Sequence, residues 1–131
     1  MFGSFVCIDN NSNNAIAALY QTSNQNGYRI SLRIGNSFAQ TNGVTQFNFP
    51  ISYTKNQITK VAWGFDSTAT YYKNATLIGT DSLVTLPTTL DGMVIGQVEA
   101  SANIWINGTI ARLAYYSVRL PDAQLQALTA T

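Results

Sequence analysis

A tryptophan beside a turn is the most evident candidate for ligand binding in this chain. Trp105 lies two residues before an Asn107-Gly108 pair, and Asn103 lies close on its other side. An aromatic ring can stack on the apolar face of a sugar, while amides hydrogen-bond to the hydroxyl groups. This spacing predicts a sugar-like ligand on Trp105, Asn103 and Asn107. The alternative is that Trp105 packs in the core or at a protein interface.

Further candidates lie on segments with the alternation of β-strands. Tyr71 and Tyr72 are neighbours, and successive strand side chains point to opposite faces, so one of the two should point outward. Tyr116 is a third candidate tyrosine. Arg29 and Arg33 share the polar face of one predicted strand and could clamp an acidic group. An ordinary solvated strand face explains the same spacing.

The chain lacks the groups on which most hydrolytic catalysis depends. It has no histidine, which excludes Ser-His and Cys-His nucleophile pairs and imidazole metal sites. Its single glutamate, Glu99, has no second carboxylate at strand spacing. Retaining glycosidases need two nearby carboxylates, so we expect no enzymatic activity.

Three acidic residues in predicted loops are weak candidates for calcium ligands, namely Asp66, Asp81 and Asp91. Calcium prefers carboxylate, amide and carbonyl oxygens. However, an aspartate at a turn usually hydrogen-bonds to its own backbone, and the sequence contains no dense Asp-x-Asp cluster. We therefore expect no cofactor, with calcium as the open alternative.

The surface of the protein must be polar but nearly uncharged. Only 10% of the 131 residues are charged and the net charge is +1, whereas Asn, Gln, Ser and Thr together supply 46 residues. Seven scattered cations cannot form the basic stripe of a nucleic-acid-binding protein. A single cysteine precludes an internal disulfide. No apolar run is long enough to span a membrane, and we expect no secretory signal.

The pattern of turns and strands predicts an all-β domain over residues 1–131. Asn26-Gly27, Asn42-Gly43, Asp91-Gly92 and Asn107-Gly108 are pairs typical of tight hairpin turns. Segments with period-two alternation predict strands at 3–8, 14–20, 28–34, 46–53, 61–65, 68–73, 83–86, 93–98 and 111–115. Trp63 shares an apolar face with Val61 and Phe65, which favours a core position. A short helix should begin at Pro121 and dock on the strands.

Two segments resemble the laminin-G-like, concanavalin-A-like jelly-roll family. The first runs from the alternating strand at 61–66 to a hairpin at Asn74-Ala75, where the family usually has Asn-Gly. The second, residues 105–129, resembles the strand-and-helix ending of such domains in bacteriophage tail and virion proteins. Pro121 stands where the family usually has a helix-capping serine. The resemblance covers residues 57–131 well and the preceding part only in general character.

The resemblance implies an antiparallel β-sandwich, a concanavalin-A-like jelly roll with a short C-terminal helix. It also implies a bacteriophage virion structural protein, a tail, fibre or capsid-surface module that is assembled in the host cytoplasm and exposed on the particle. Its partners would be other virion proteins, copies of itself and a host surface glycan, with no nucleic acid and no membrane insertion. The alternative is a stand-alone carbohydrate-binding module that recognises bacterial surface polysaccharide.

Overall fold

β-Strands form most of the described structure. A computed structural model describes residues 2–7, 15–24, 27–33, 35–82, 84–97 and 105–130. The strands are β1 Phe2–Cys7, β2 Ala15–Tyr20, β3 Arg29–Arg33, β4 Gly35–Thr41, β5 Val44–Ile51, β6 Ile58–Phe65, β7 Thr68–Lys73, β8 Thr76–Ser82, β9 Gly92–Ile95 and β10 Gly108–Ala114, and the helix is α1 Asp122–Thr129.

The strands form two antiparallel five-stranded sheets. The first sheet has the strand order β10-β1-β6-β7-β8, and the second has the order β5-β4-β3-β2-β9. Apolar side chains from both sheets meet in one buried cluster, as in a β-sandwich. The expected antiparallel sandwich with a short C-terminal helix is therefore confirmed.

An aromatic cluster occupies the middle of this core. The Trp63 ring is fully buried and lies edge-on to Phe47, with 5.0 Å between the ring centroids. Phe65 and Tyr71 also contact Trp63 edge-on, at centroid distances of 5.7 and 6.3 Å. Edge-to-face pairs at such distances stabilise a core beyond the area they bury. The predicted core position of Trp63 is confirmed.

Two hairpin turns adopt the left-handed backbone that the sequence predicts. Asn42 and Gly43 have φ angles of 52° and 75° and connect β4 to β5. Asn74 and Ala75 have φ angles of 46° and 62° and connect β7 to β8. A left-handed conformation costs a residue with a Cβ atom roughly 1–2 kcal/mol. Ala75 therefore adopts a strained conformation that a glycine would adopt without strain.

We expect Ala75→Gly to raise the free energy of unfolding by about 0.5–1 kcal/mol, because the relieved strain exceeds the extra chain entropy of glycine. Chemical denaturation measures this difference. The matched control is Ala69→Gly, a buried position inside β7 where the same substitution should destabilise. An Ala75→Gly variant that is no more stable than the unmodified protein would contradict the strain.

The prediction of a strand at 83–86 is wrong. Residue 83 lies outside the described residues, and residues 84–91 form an irregular connection. This connection leads from β8 in the first sheet to β9 in the second. Strands β4 and β8 were not predicted, and their sequences contain few apolar residues at alternating positions.

Two of the predicted hairpin turns are not hairpins. Gly92 is the first residue of β9 and Gly108 is the first residue of β10, and in each case the preceding described strand belongs to the other sheet. Among the described strands, neither pair connects two hydrogen-bonded neighbours. For the fourth pair, Asn26 lies outside the described residues.

Helix α1 covers the outer face of the first sheet. Leu125 packs with Ala62 and Tyr72 in a second apolar cluster. Arg119 anchors the start of the helix, because its Nη2 donates to Thr70 Oγ1 at 2.9 Å and to Asp122 Oδ1 at 2.5 Å. No helix among the described residues covers the outer face of the second sheet. With eight residues, α1 falls short of a membrane span, and the described chain contains no other helix that qualifies.

Candidate functional site

The outer face of the second sheet combines positive charge, aromatic rings and amides. Strand β3 turns Ile30 and Leu32 into the core, so its remaining side chains point outward. The pairing register places Tyr20 and Gln40 beside Arg29, and Phe38 between Ser31 and Asn48. We call this surface the arginine face; it comprises Tyr20, Arg29, Ser31, Arg33, Phe38, Gln40 and Asn48.

Both arginines of this face contact the same aromatic ring. The Cζ atom of Arg29 lies 4.9 Å from the ring centroid of Phe38, and that of Arg33 lies 4.8 Å from it. These distances are within the range of cation–π interactions. Arg29 is also held from the side, because its Nε donates to Gln40 Oε1 at 2.7 Å. The predicted sharing of one strand face by Arg29 and Arg33 is confirmed.

The positive charges of Arg29 and Arg33 repel each other. Burial, together with the charge of Arg29, lowers the pKa of Arg33 to about 10. Burial also lowers the pKa of Arg29. The Arg33 side chain stays protonated at neutral pH, because its pKa of about 10 is well above 7. An anionic group between them would reduce their repulsion, so this face suits a ligand that carries a carboxylate.

Tyr20, the register partner of Arg29 on β2, adds an aromatic ring to the face. The Tyr20 ring lies directly against Gly92 of the neighbouring strand, where an added Cβ atom would be 2.5 Å from the ring. Only glycine leaves room for the ring in this position. A half-buried tyrosine presents an apolar surface together with a polar hydroxyl, the combination that suits contact with a sugar ring.

The predicted tyrosines at 71 and 72 do not offer a ring to a ligand. Tyr71 is fully buried between the sheets, and this burial raises the pKa of its hydroxyl well above the ordinary value. Tyr72 does face the opposite side, as predicted, but it packs with Leu125 of α1 and is only 8% exposed. The predicted outward orientation of one tyrosine is confirmed for Tyr72, but α1 covers that face, so neither ring is accessible to a ligand.

Trp105 points into solvent at the edge of the second sheet. Its side chain is 55% exposed, and Asn107 is exposed beside it. Trp105 pairs with Gln97 just after β9, so β2 and β9 separate it from the arginines on β3. Asn103, the third member of the predicted group, lies outside the described residues, as does Glu99.

Tyr116 lies in a different place from the other predicted residues. It lines a shallow groove of about 350 Å³ beside α1, together with Leu120 and Leu128. The structure therefore brings Arg29 and Arg33 together, but it does not join them with Tyr116 or Trp105 on one surface.

The three candidate calcium ligands lie in separate places. Asp66 Oδ1 accepts a hydrogen bond from the Thr68 backbone at 2.8 Å, as expected for a turn aspartate. Asp91 Oδ1 accepts hydrogen bonds from the backbone and side chain of Thr22, which lower the pKa of Asp91. Asp81 lies on β8. Among the described residues, no three His, Cys, Asp or Glu side chains form a group that could hold a metal ion.

Comparison with solved structures shows which proteins share this architecture. A CBM40 domain of the Ruminococcus gnavus IT-sialidase, bound to alpha2,3 sialyllactose, has a TM-score of 0.81 and 17% identity, covering 99% of this chain and 80% of that one. The heptameric SAP-like pentraxin of Limulus polyphemus has a TM-score of 0.75 and 19% identity, covering 98% and 68%. A leech intramolecular trans-sialidase has a TM-score of 0.75 and 17% identity, covering 98% and 22%.

The likeness establishes the fold. The neighbours have jelly-roll, concanavalin-A-like folds, as the sequence motifs predicted for this chain. Neither a protein-family model nor a curated protein sequence matches it. None of these comparisons relates the chain to a virion, so a structural role in a bacteriophage particle stays a prediction. Association with copies of itself also stays a prediction.

Proposed function

We propose that this chain is a non-catalytic glycan-binding domain that holds an acidic glycan on its arginine face. The observation that carries the proposal is the convergence of Arg29 and Arg33 on the Phe38 ring. This convergence lies on the sheet face that α1 does not cover. The shared fold with a domain solved in complex with sialyllactose supports a glycan as the ligand.

The chemistry of the face suits a sugar acid. Two guanidinium groups can bind one carboxylate through paired N–H donors, which is a geometrically specific and charge-assisted contact. The Tyr20 ring can contact the sugar, while the amides of Gln40 and Asn48 can bind its hydroxyl groups. The acid supplies the main interaction, and the amides and the ring orient the sugar.

Calorimetric titration with alpha2,3 sialyllactose tests the proposal, with lactose as the matched ligand that lacks the acidic sugar. We expect a Kd between about 10 μM and 1 mM for sialyllactose and no measurable binding of lactose. Raising the ionic strength should weaken the binding, because part of the attraction is between charges. Equal affinity for the two sugars would refute the proposal, as would a failure to bind sialyllactose together with a failure to bind the acidic polysaccharide described below.

An acidic polysaccharide of a bacterial surface could also supply a sugar that carries a carboxylate. A second titration arm with polygalacturonate, whose repeating sugar carries a carboxylate, distinguishes this source from a sialylated glycan. Preferential binding of polygalacturonate would retain the arginine face as the site but assign it to the uronic acid class.

A further inference from the structure

A buried hydroxyl group lies at the centre of the arginine face. Ser31 points outward between Arg29 and Arg33, yet it is fully buried. Its Oγ atom has no hydrogen-bond partner in the described structure. A buried polar group without a partner is costly, and such groups are often found at functional sites. The isolation of Ser31 therefore calls for a partner that joins the site from outside.

The side chains around Ser31 decide how a ligand can reach it. Phe38 stands directly opposite Ser31 on the adjacent strand, a pairing that brings two Cβ atoms within about 4.5–5.5 Å. Arg29 is fixed by its hydrogen bond to Gln40. By contrast, the half-buried Phe38 ring contacts the two guanidinium groups through cation–π interactions. Because a cation–π contact is weaker than a charge-assisted hydrogen bond, we expect the Phe38 ring to turn aside more readily than the Arg29 side chain.

We infer that Phe38 is a movable cover over a ligand-binding hydroxyl, and that turning its ring aside opens one pocket formed by the hydroxyl of Ser31 and the guanidinium groups of Arg29 and Arg33. This inference rests on the proposed function and assigns a specific role to two residues of the arginine face, Ser31 and Phe38. The pocket takes a carboxylate, whose oxygens accept hydrogen bonds from Ser31 Oγ and from the arginines. The ligand replaces the cation–π contacts of the closed state with stronger charge-assisted hydrogen bonds.

A cover of this kind lowers the observed affinity, because only the open fraction of the protein can bind. If about one molecule in ten is open, Phe38→Ala should tighten the binding of sialyllactose by about tenfold. A ring that serves instead as a stacking platform for the sugar would give the opposite result, a weaker binding. The sign of the change therefore separates a cover from a platform.

Ser31→Ala should stabilise the free protein and weaken its binding of the ligand. It removes a buried hydroxyl without a partner, so the Tm of the free protein should rise by about 2–4 °C. In the Phe38→Ala background it should weaken the binding of sialyllactose by about tenfold. A serine with a purely structural role would change the Tm and leave the affinity unchanged. The matched control for the Tm is Ser37→Ala, which should lower it, because Ser37 Oγ bonds to the backbone of Arg33.

The deciding experiment measures the Kd of sialyllactose for the unmodified protein, Phe38→Ala, Ser31→Ala and the double variant. Tighter binding by Phe38→Ala, reversed by Ser31→Ala, supports the inference. Weaker binding by Phe38→Ala, or an affinity that Ser31→Ala does not change in either background, overturns it while the proposed function stands. If neither the unmodified protein nor folded Phe38→Ala binds sialyllactose or polygalacturonate, the proposed function and this inference both fail.

Discussion

Replacing both Arg29 and Arg33 with alanine should lower the affinity for sialyllactose at least about 100-fold, which amounts to a loss of binding in a calorimetric titration. Hydrogen bonds to charged groups contribute about 1.5–3 kcal/mol each, and the double variant removes the donors from two guanidinium groups. The two single variants should each lie between the unmodified protein and the double variant. Arg29→Lys and Arg33→Lys keep the charge but lose the forked geometry of the guanidinium group. Each should therefore bind more tightly than the corresponding alanine variant and more weakly than the unmodified protein.

A charge control separates this effect from a general loss of positive charge. Lys55 lies exposed in the turn between β5 and β6, on neither face of the second sheet, and Lys55→Ala should bind as the unmodified protein does. Each variant is first checked for folding by thermal denaturation. A folded double variant that binds sialyllactose within about threefold of the unmodified protein would remove the arginines from the site.

The largest effect on stability should come from Trp63, and the exposed Trp105 serves as its matched control. Trp63→Ala removes a fully buried ring that contacts three other aromatic rings, and it should lower the free energy of unfolding by about 4 kcal/mol. Trp105→Ala removes a ring that is 55% exposed, and it should change the free energy of unfolding by no more than about 0.5 kcal/mol. Chemical denaturation of the two variants measures both values.

The same pair of variants tests the role first predicted for Trp105. If Trp105 lies outside the binding site, folded Trp105→Ala retains the affinity of the unmodified protein for sialyllactose. A loss of affinity at normal stability would place the ligand near Trp105 instead. If Trp63→Ala were as stable as the unmodified protein, the aromatic core described above would be wrong.

Local sequence patterns predicted the parts of the fold that local physics controls. The alternation of Val61 and Trp63 placed both side chains in the core, since a strand buries every second residue. Asn42-Gly43 gave the correct hairpin, because its left-handed backbone is set by the two residues themselves. Strand β8 gave no such signal, because its side chains are mostly exposed and few are apolar.

Long-range pairing was beyond the reach of these patterns. Asp91-Gly92 is typical of a turn, but the pair cannot show that β8 before it and β9 after it belong to different sheets. Tyr72 was correctly assigned to the face opposite Tyr71, but its cover is supplied by a helix some 50 residues later in the chain. Such burial depends on tertiary packing, which cannot be predicted from the alternation of residues within β7.

The residues of the candidate site could also be predicted only in part from the sequence. Arg29 and Arg33 could be found together because they lie on one strand with period-two spacing. Phe38 and Tyr20 could not, because their place beside the arginines follows from the register of β3 with β4 and β2. The isolated hydroxyl of Ser31 also appears only once its neighbours are in place. Sequence thus identified the charged groups, and the structure identified the residues around them.

A titration of the labelled protein with sialyllactose, followed through the backbone amide signals by NMR, tests the central claim most directly. Binding on the arginine face predicts the largest changes in β3 Arg29–Arg33 and at Phe38, Gln40 and Tyr20 on the neighbouring strands. Changes confined to Trp105 and Asn107, to the groove at Tyr116, or to no part of the protein would contradict it.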